Sequence, residues 1–154
     1  MRLRVIAVGT RMPDWVQSGV ADYVARLPRE LPLTIEEVKP VQRKGPVTDA
    51  LDEEGQRVIA RLGRGARVVL LDERGTSWNT LQFAARLQHW QEAYAEVALL
   101  IGGADGHAPA VRALAAEQWS LSALTLPHAL VRVLLAEQIY RATTVLRGHP
   151  YHRG

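Results

Sequence analysis

The 154-residue chain contains no cysteine, which excludes a disulfide framework and any thiolate metal site. No apolar run reaches the length of a membrane span, and the opening "MRLRVIAVGT" has an apolar stretch too short for the core of a secretory leader. A cytoplasmic protein is the simplest expectation. The G-x-G-x-x-G fingerprint after a strand and the phosphate loop G-x-x-x-x-G-K-[ST] are both missing, which disfavours a dinucleotide or a nucleoside triphosphate as ligand. No grouping of the five histidines with acidic residues has the spacing of a metal site, so no metal is expected. Lysine is scarce: 17 of the 19 cations are arginine, and the net charge is only +3. That charge permits a nucleic-acid partner without requiring one. The one local concentration, Lys39 to Lys44 in "KPVQRKGP", sits beside prolines and a glycine. It reads as a basic loop, open either to phosphate contact or to simple solvation.

What is present is an alternation of short apolar runs and amphipathic stretches, 47% apolar overall, enough for one domain with its own core. "LRVIAV" (Leu3 to Val8) is β-branched and closed by Gly9, and "PDWVQSGVADYVARL" follows with Trp15, Val16, Val20, Tyr23, Val24 and Leu27 at helical spacing. "LTIEEVK" alternates like an edge or half-buried strand, and "TDALDEEGQRVIARLG" is a helix opened by Thr48 and stopped near Gly63. "RVVLLDERG" reads as a buried strand and turn, "TLQFAARLQHWQEAY" as a helix, and "VALLIGG" as a third buried strand. "APAVRALAAEQW" reads as a helix with Pro109 in its first turn, and the short apolar run "ALTL" precedes a final helix from His128 to Arg147. Wholly apolar strands, each followed by a helix, imply a mostly parallel sheet covered on both faces, an α/β fold.

Ligands of such sheets settle at the carboxyl ends of the strands. Three of those ends carry unusual sequence: "LLDERG" from Leu70, "LLIGGADG" from Leu99, and "SLSALTLPH" from Ser120 to His128. They form one neighbourhood if the central strands are adjacent. Taken alone, "GGADG" is either a strand-ending turn using positive φ or bare backbone that lets a flat ligand approach closely. The small and apolar "SLSALTLP" suits a purine or thioether better than a triphosphate. Trp15, Tyr23 and Trp90 fall at helical spacing with aliphatics and read as packing residues. His89 reads as a surface residue, His107 as solvated, and His128 as a cap on the last helix.

The order and spacing of "VGTRMPDWVQSG", "LDERG", "LLIGGADG", "SLSALTLPH", "VRVLLAEQIYRA" and the closing "HPYHR" resemble the ribosomal RNA large subunit methyltransferase H family, of the SPOUT (α/β-knot) superfamily. The similarity is near full length. It implies a homodimeric enzyme that uses S-adenosylmethionine to methylate N3 of a pseudouridine in the 23S rRNA of the assembled ribosome. It also implies a single domain with a C-terminal trefoil knot over about residues 68–147 and a tail over 148–154, which the usual unknotted topology of α/β sheets would not suggest. Carried over by position, the cofactor contacts are Leu71, Gly103 and the run Ser122, Ala123, Leu124, Thr125, Leu126 and Pro127.

The last helix has apolar residues on nearly every face, which demands cover all round, from its own domain or also from a partner subunit. Glu137 and Arg141, at i and i+4, are expected as a buried ion pair ahead of any direct catalytic role. Gly148 and Pro150 end the helix and leave an extended tail, which is either disordered or folds over the cofactor pocket. In the second case Tyr151 or His152 offers a stacking face for a nucleobase and Arg153 a cation for a phosphate. Methyl transfer to N3 requires loss of its weakly acidic proton, and His152 is the natural base, with Glu137 and His128 behind it. Two other classes stay open on sequence: a non-enzymatic ribosome-binding factor with the same fold, and a nucleotide-binding module.

Overall fold

A computed structural model describes residues 1–42 and 44–153; the part of the basic-loop expectation that falls on Arg43 lies outside the described residues. The elements run β1 (Arg2–Val8), α1 (Asp14–Ala25), β2 (Leu33–Val38), α2 (Val47–Ile59), β3 (Arg67–Ser77), α3 (Thr80–Ala93), β4 (Glu96–Ile101), α4 (Pro109–Leu114), β5 (Glu117–Ser120) and α5 (His128–Arg147), closed by a 3-10 turn over Pro150–Arg153. The five strands form one sheet in the order β2-β1-β4-β3-β5, and every pairing is parallel. The α/β expectation holds, with a sheet that is wholly rather than mostly parallel.

The pleat explains the continuous apolar runs. Leu3, Val5 and Ala7 of β1 face one layer of core with Val97, Leu99 and Ile101 of β4, while Ile6 and Val8 face the other with Ala98 and Leu100. Helices α1, α3 and α5 pack on the first face, and α2 and α4 on the second. Among the described residues, no helix is long and apolar enough to cross a membrane.

Three sequence expectations change. The stretch expected as one long helix from Ala108 to Trp119 breaks after Leu114, and Glu117–Ser120 becomes strand β5. Tertiary contacts override the helix-favouring Ala-Ala-Glu-Gln. Trp119 stacks on Phe83 at 4.3 Å and on Trp78 at 5.1 Å, while the Glu117 carboxylate accepts from Trp90 Nε1 at 2.9 Å and pairs with Arg67 and Arg86. Second, "LDERG" is no simple turn. The register between β3 and β5 jumps from Leu71 to Thr76, so Asp72–Gly75 bulges out and the strand resumes. Gly75 permits this because a Cβ there would lie 2.7 Å from the backbone of Gln118 and Trp119. Third, Trp15 is 58% exposed rather than packed.

Helix α5 lies between α1 and α3 and buries one stripe, including Arg132, Leu135, Ala136, Ile139 and Ala142. Val133 lies against Gly19 of α1 and Val145 against the core, whereas Leu130 and Leu134 remain half-buried and Leu146 is exposed, so one chain leaves part of the apolar surface of this helix uncovered. Because Trp119 joins β5 to the aromatic cluster, Trp119→Ala should cost about 3–5 kcal/mol in denaturant unfolding. A loss below about 1 kcal/mol would show that β5 does not depend on that packing.

Candidate active site

The bulge of β3 after Leu71 and the carboxyl ends of β4 and β5 converge on one cavity of about 480 Å³. Its walls take backbone and side chains from all three unusual strand ends, among them Leu71, Gly102, Gly103, Ser122 and Leu126. The glycine loop is folded backbone on backbone: Gly106 N–H donates to the Gly103 carbonyl at 3.1 Å, and a Cβ on Gly102 would lie 2.8 Å from the Gly106 carbonyl carbon. Only glycine fits there. The loop after β5 is held by its own hydroxyls. Ser120 Oγ donates to the Ser122 carbonyl at 2.8 Å, Ser122 Oγ accepts from Leu124 N–H at 2.9 Å, and Thr125 Oγ1 donates to Glu73 at 3.1 Å. Of the six residues Ser122 to Pro127, the alternate positions Ser122, Leu124 and Leu126 line the cavity. Ala123, Thr125 and Pro127 are exposed and lie outside its lining.

Asp72, Glu73, Arg74, Asp105 and Arg112 add charged side chains to its lining. Asp72 pairs with Arg112 at 2.5 Å and accepts from Arg74 N–H at 2.9 Å. Burial pushes the Asp72 carboxyl up, but these cations and the N–H prevail and hold it below the usual range. The combination of strand-end backbone, apolar walls and a lining that holds both carboxylates and guanidinium groups suits a ligand with a flat heterocycle, a sulfonium and an amino-acid zwitterion. Among the described residues there is no group of histidine, aspartate or glutamate able to hold a metal ion.

Two histidines occupy places that sequence reading missed. His107, expected in solvent, donates from Nε2 to the Leu71 carbonyl at 2.9 Å, and His128, expected as a helix cap, donates from Nδ1 to the Gly102 carbonyl at 3.0 Å. No side chain caps the start of α5. Each ring thus holds a carbonyl where a central strand leaves its ladder, Leu71 before the bulge in β3 and Gly102 just past β4. Their partners lie 36 and 26 residues away, so no local pattern could have announced them. Burial holds both below the ordinary histidine pKa, against the raising effect of the carbonyls they bind.

The remaining predicted site residues gather elsewhere. Glu137 and Arg141 form the expected ion pair at 2.7 Å, and Gln138 Nε2 donates to the same carboxylate at 2.8 Å. The tail is not extended. Gly148 adopts a left-handed C-cap, His149 N–H donates back to the Thr144 carbonyl at 2.9 Å, and Pro150–Arg153 form a 3-10 turn against α5. Tyr151 packs on Tyr140 at 4.7 Å under the Arg141 guanidinium, and its hydroxyl donates to Glu137. Burial, with hydrogen bonding to Tyr23 and the nearby Glu137 charge, raises the Tyr151 pKa to about 12, so this phenol stays protonated. His152 Nδ1 is buried without a hydrogen-bond partner among the described residues, and Arg153 is exposed. His128 lines the cavity at the start of α5, while the tail folds back along the helix so that Tyr151 reaches Glu137, nine residues or about 14 Å beyond His128. None of the described tail residues lines the cavity.

Residues 1–152 match the family described as "Predicted SPOUT methyltransferase". Over 99% of its length the chain is 50% identical to "Ribosomal RNA large subunit methyltransferase H" of Hahella chejuensis, covering 99% of that protein. It is 51% identical to the protein of the same name from Chromohalobacter salexigens, over 99% of this chain and 100% of that one. A solved structure described as "Structural insights into the 2-OH methylation of C/U34 on tRNA" shares the fold, with a TM-score of 0.50 and 18% identity over 96% of this chain and 98% of its own.

The two buried histidines make folding depend on pH in a definite direction. With folded pKa values below the ordinary 6.5, the unfolded chain takes up protons first. Their contribution is complete above about pH 6.5 and is lost as the pH falls toward the folded values, by at most about 1.4 kcal/mol per pH unit for each ring. Glu36 and Asp72 are also held low, but they titrate below the carboxylate reference values of 4.5 and 3.8 and add nothing to that window. Urea unfolding at pH 7, 6 and 5 should show this slope, and the double variant His107→Gln/His128→Asn, which keeps both N–H donors but cannot titrate, should flatten it. An equal slope in the variant would contradict the assignment.

Proposed function

The chain belongs to the SPOUT methyltransferases, in the ribosomal RNA large subunit methyltransferase H family, and from that membership we propose that it methylates N3 of a pseudouridine in 23S rRNA as a homodimer acting on assembled cytoplasmic ribosomes. It is an S-adenosylmethionine-dependent methyltransferase of large-subunit rRNA. The observation that carries the reading is the cavity itself, in which three segments of the sheet offer backbone, apolar surface and both signs of charge to a cofactor. In this reading Leu71, Gly103, Ser122, Leu124 and Leu126 contact the cofactor directly, while Ala123, Thr125 and Pro127 hold the loop. The trefoil knot implied for residues 68–147 would fix that loop in place.

The bound cofactor supplies an electrophilic methyl group on a sulfonium. The protein's part is to orient the base, exclude water and take the N3 proton. His152 is the proposed acceptor, through Nε2, because its Nδ1 is buried and cannot meet a substrate proton. Glu137 is a poorer base because three side chains already donate to its carboxylate. The Nε2 lone pair of His128 is taken by Arg132. Tyr151 anchors the tail through Glu137, Arg141 and Tyr140, leaving His152 and Arg153 to face substrate. Because no described tail residue lines the cavity of its own chain, each copy's tail would serve the cavity of its partner. The half-buried apolar residues of α5 supply a face for that partner.

Labelled S-adenosylmethionine incubated with ribosomes lacking the modification should yield N3-methylpseudouridine, identified by mass spectrometry of the digested rRNA. Ribosome binding without methyl incorporation would replace the enzyme by a binding factor. His152→Ala should lower the single-turnover rate by about 10²-fold to 10⁴-fold. An unchanged rate across pH would remove His152 as the base.

A further inference from the structure

Arg132 is a buried cation that ties α5 to the ends of two strands. It is 5% exposed, near the start of α5, and its guanidinium donates to three elements. Nη2 reaches the Gly9 carbonyl just past β1 at 2.9 Å, Nη1 reaches Glu37 of β2 at 2.7 Å, and Nε reaches Nε2 of His128 at 2.9 Å. His128 passes the link on, since its Nδ1 lies 3.0 Å from the Gly102 carbonyl at the end of β4. Gly9 is bound in turn to the end of β2 through the Val38 carbonyl at 2.9 Å. A Cβ on Gly9 would stand 3.3 Å from both Arg132 Nη2 and His128 Nε2, so the backbone is pressed close against the pair.

Hydrogen-bond chemistry fixes the state of the imidazole. A carbonyl oxygen only accepts, so Nδ1 of His128 carries the proton. A guanidinium N–H only donates, so Nε2 must offer its lone pair. The ring is therefore neutral and held as the single Nδ1–H tautomer. A second proton would set Nε2–H against Arg132 Nε–H. Burial opposes that proton, as does the Arg132 charge, while the Gly102 carbonyl and Glu37 favour it.

The consequence lies at the cavity wall. Carbonyl and N–H of a trans peptide point in opposite directions, so fixing the Gly102 carbonyl fixes the direction of Gly103 N–H as well. Glycine has no side chain to hold that peptide plane, and an unrestrained Gly-Gly peptide flips readily. We propose that Arg132 and His128 are positioning residues that lock the Gly102–Gly103 peptide in the orientation that binds the cofactor. The inference rests on the reading that this cavity holds S-adenosylmethionine. His128 neither accepts the substrate proton nor needs to touch the methyl group. Arg132 acts through it, tying the glycine loop to the ends of β1 and β2.

The test uses the intact protein with S-adenosylhomocysteine as probe in calorimetry, methylation kinetics at varied cofactor concentration, and nitrogen-15 spectra of the imidazole. His128→Ala should weaken binding roughly 3-fold to 10-fold, the usual worth of one such hydrogen bond. KM for the cofactor should rise in step while kcat changes by less than about 2-fold. His128→Asn places an amide N–H where Nδ1–H stood and should recover most of the loss. Arg132→Lys, chosen to keep the charge and the fold, should weaken binding and release His128 into a mixture of tautomers, whereas the wild-type ring should read as Nδ1–H alone. Equal affinity for wild type and His128→Ala, equal weakness of the Ala and Asn variants, or an Nε2–H wild-type ring would each overturn the proposal. Failure of the folded wild type to bind S-adenosylhomocysteine would instead remove the cofactor reading, and the proposal with it.

Discussion

A 20-residue helix without a break sets what this molecule can do alone. The first turns of α5 are pinned to the sheet through His128 and Arg132, beside the cavity. Its middle carries the Glu137–Arg141 pair, onto which the tail folds back from the far end. The anchor of the tail at Glu137 thus stands about 14 Å along the helix from His128 at the cavity wall, and no described tail residue lines that cavity. The half-covered apolar sides of the same helix follow from the same fact: a domain this small buries one stripe and leaves the rest for another surface.

The placement of charge follows a consistent pattern. Several arginines are turned inward: Arg4 is held between Glu36 and Glu96, Arg132 joins three elements, and Arg112 pairs with Asp72 at the cavity rim. Arg67 and Arg86 converge on Glu117. These cations organise the fold and have less to offer to phosphate, on a chain whose net charge is already only +3. Affinity for bare rRNA should then be modest. Shape, rather than a broad electrostatic field, is the more economical way for such a protein to find its site on large-subunit rRNA.

The parts of this structure visible in the sequence are those defined by local pattern. Unbroken apolar runs such as "VALLI" announced buried parallel strands, and the odd composition of three strand ends identified the cavity. Strand β5 was hidden because four residues carry little periodic signal, and their conformation is decided by Phe83, Trp78 and Arg67, far away in the chain. The functions of His107 and His128 were hidden for the same reason, since a carbonyl acceptor leaves no trace in sequence. Gly148 did mark the end of α5, but the tail's return onto Tyr140 and Glu137 depends on contacts that only the folded helix presents.

The central claim is that cavity and tail of one working site come from two copies. It is tested by co-expressing His152→Ala with Gly102→Val, the second change forcing a side chain against the Gly106 backbone. Each variant alone should be inactive. Random assortment into mixed dimers should restore about a quarter of wild-type methylation, since half the dimers would hold one intact pair of cavity and tail. Mixed dimers, demonstrated by native mass spectrometry, that remained inactive would contradict the account and return the tail to its own chain.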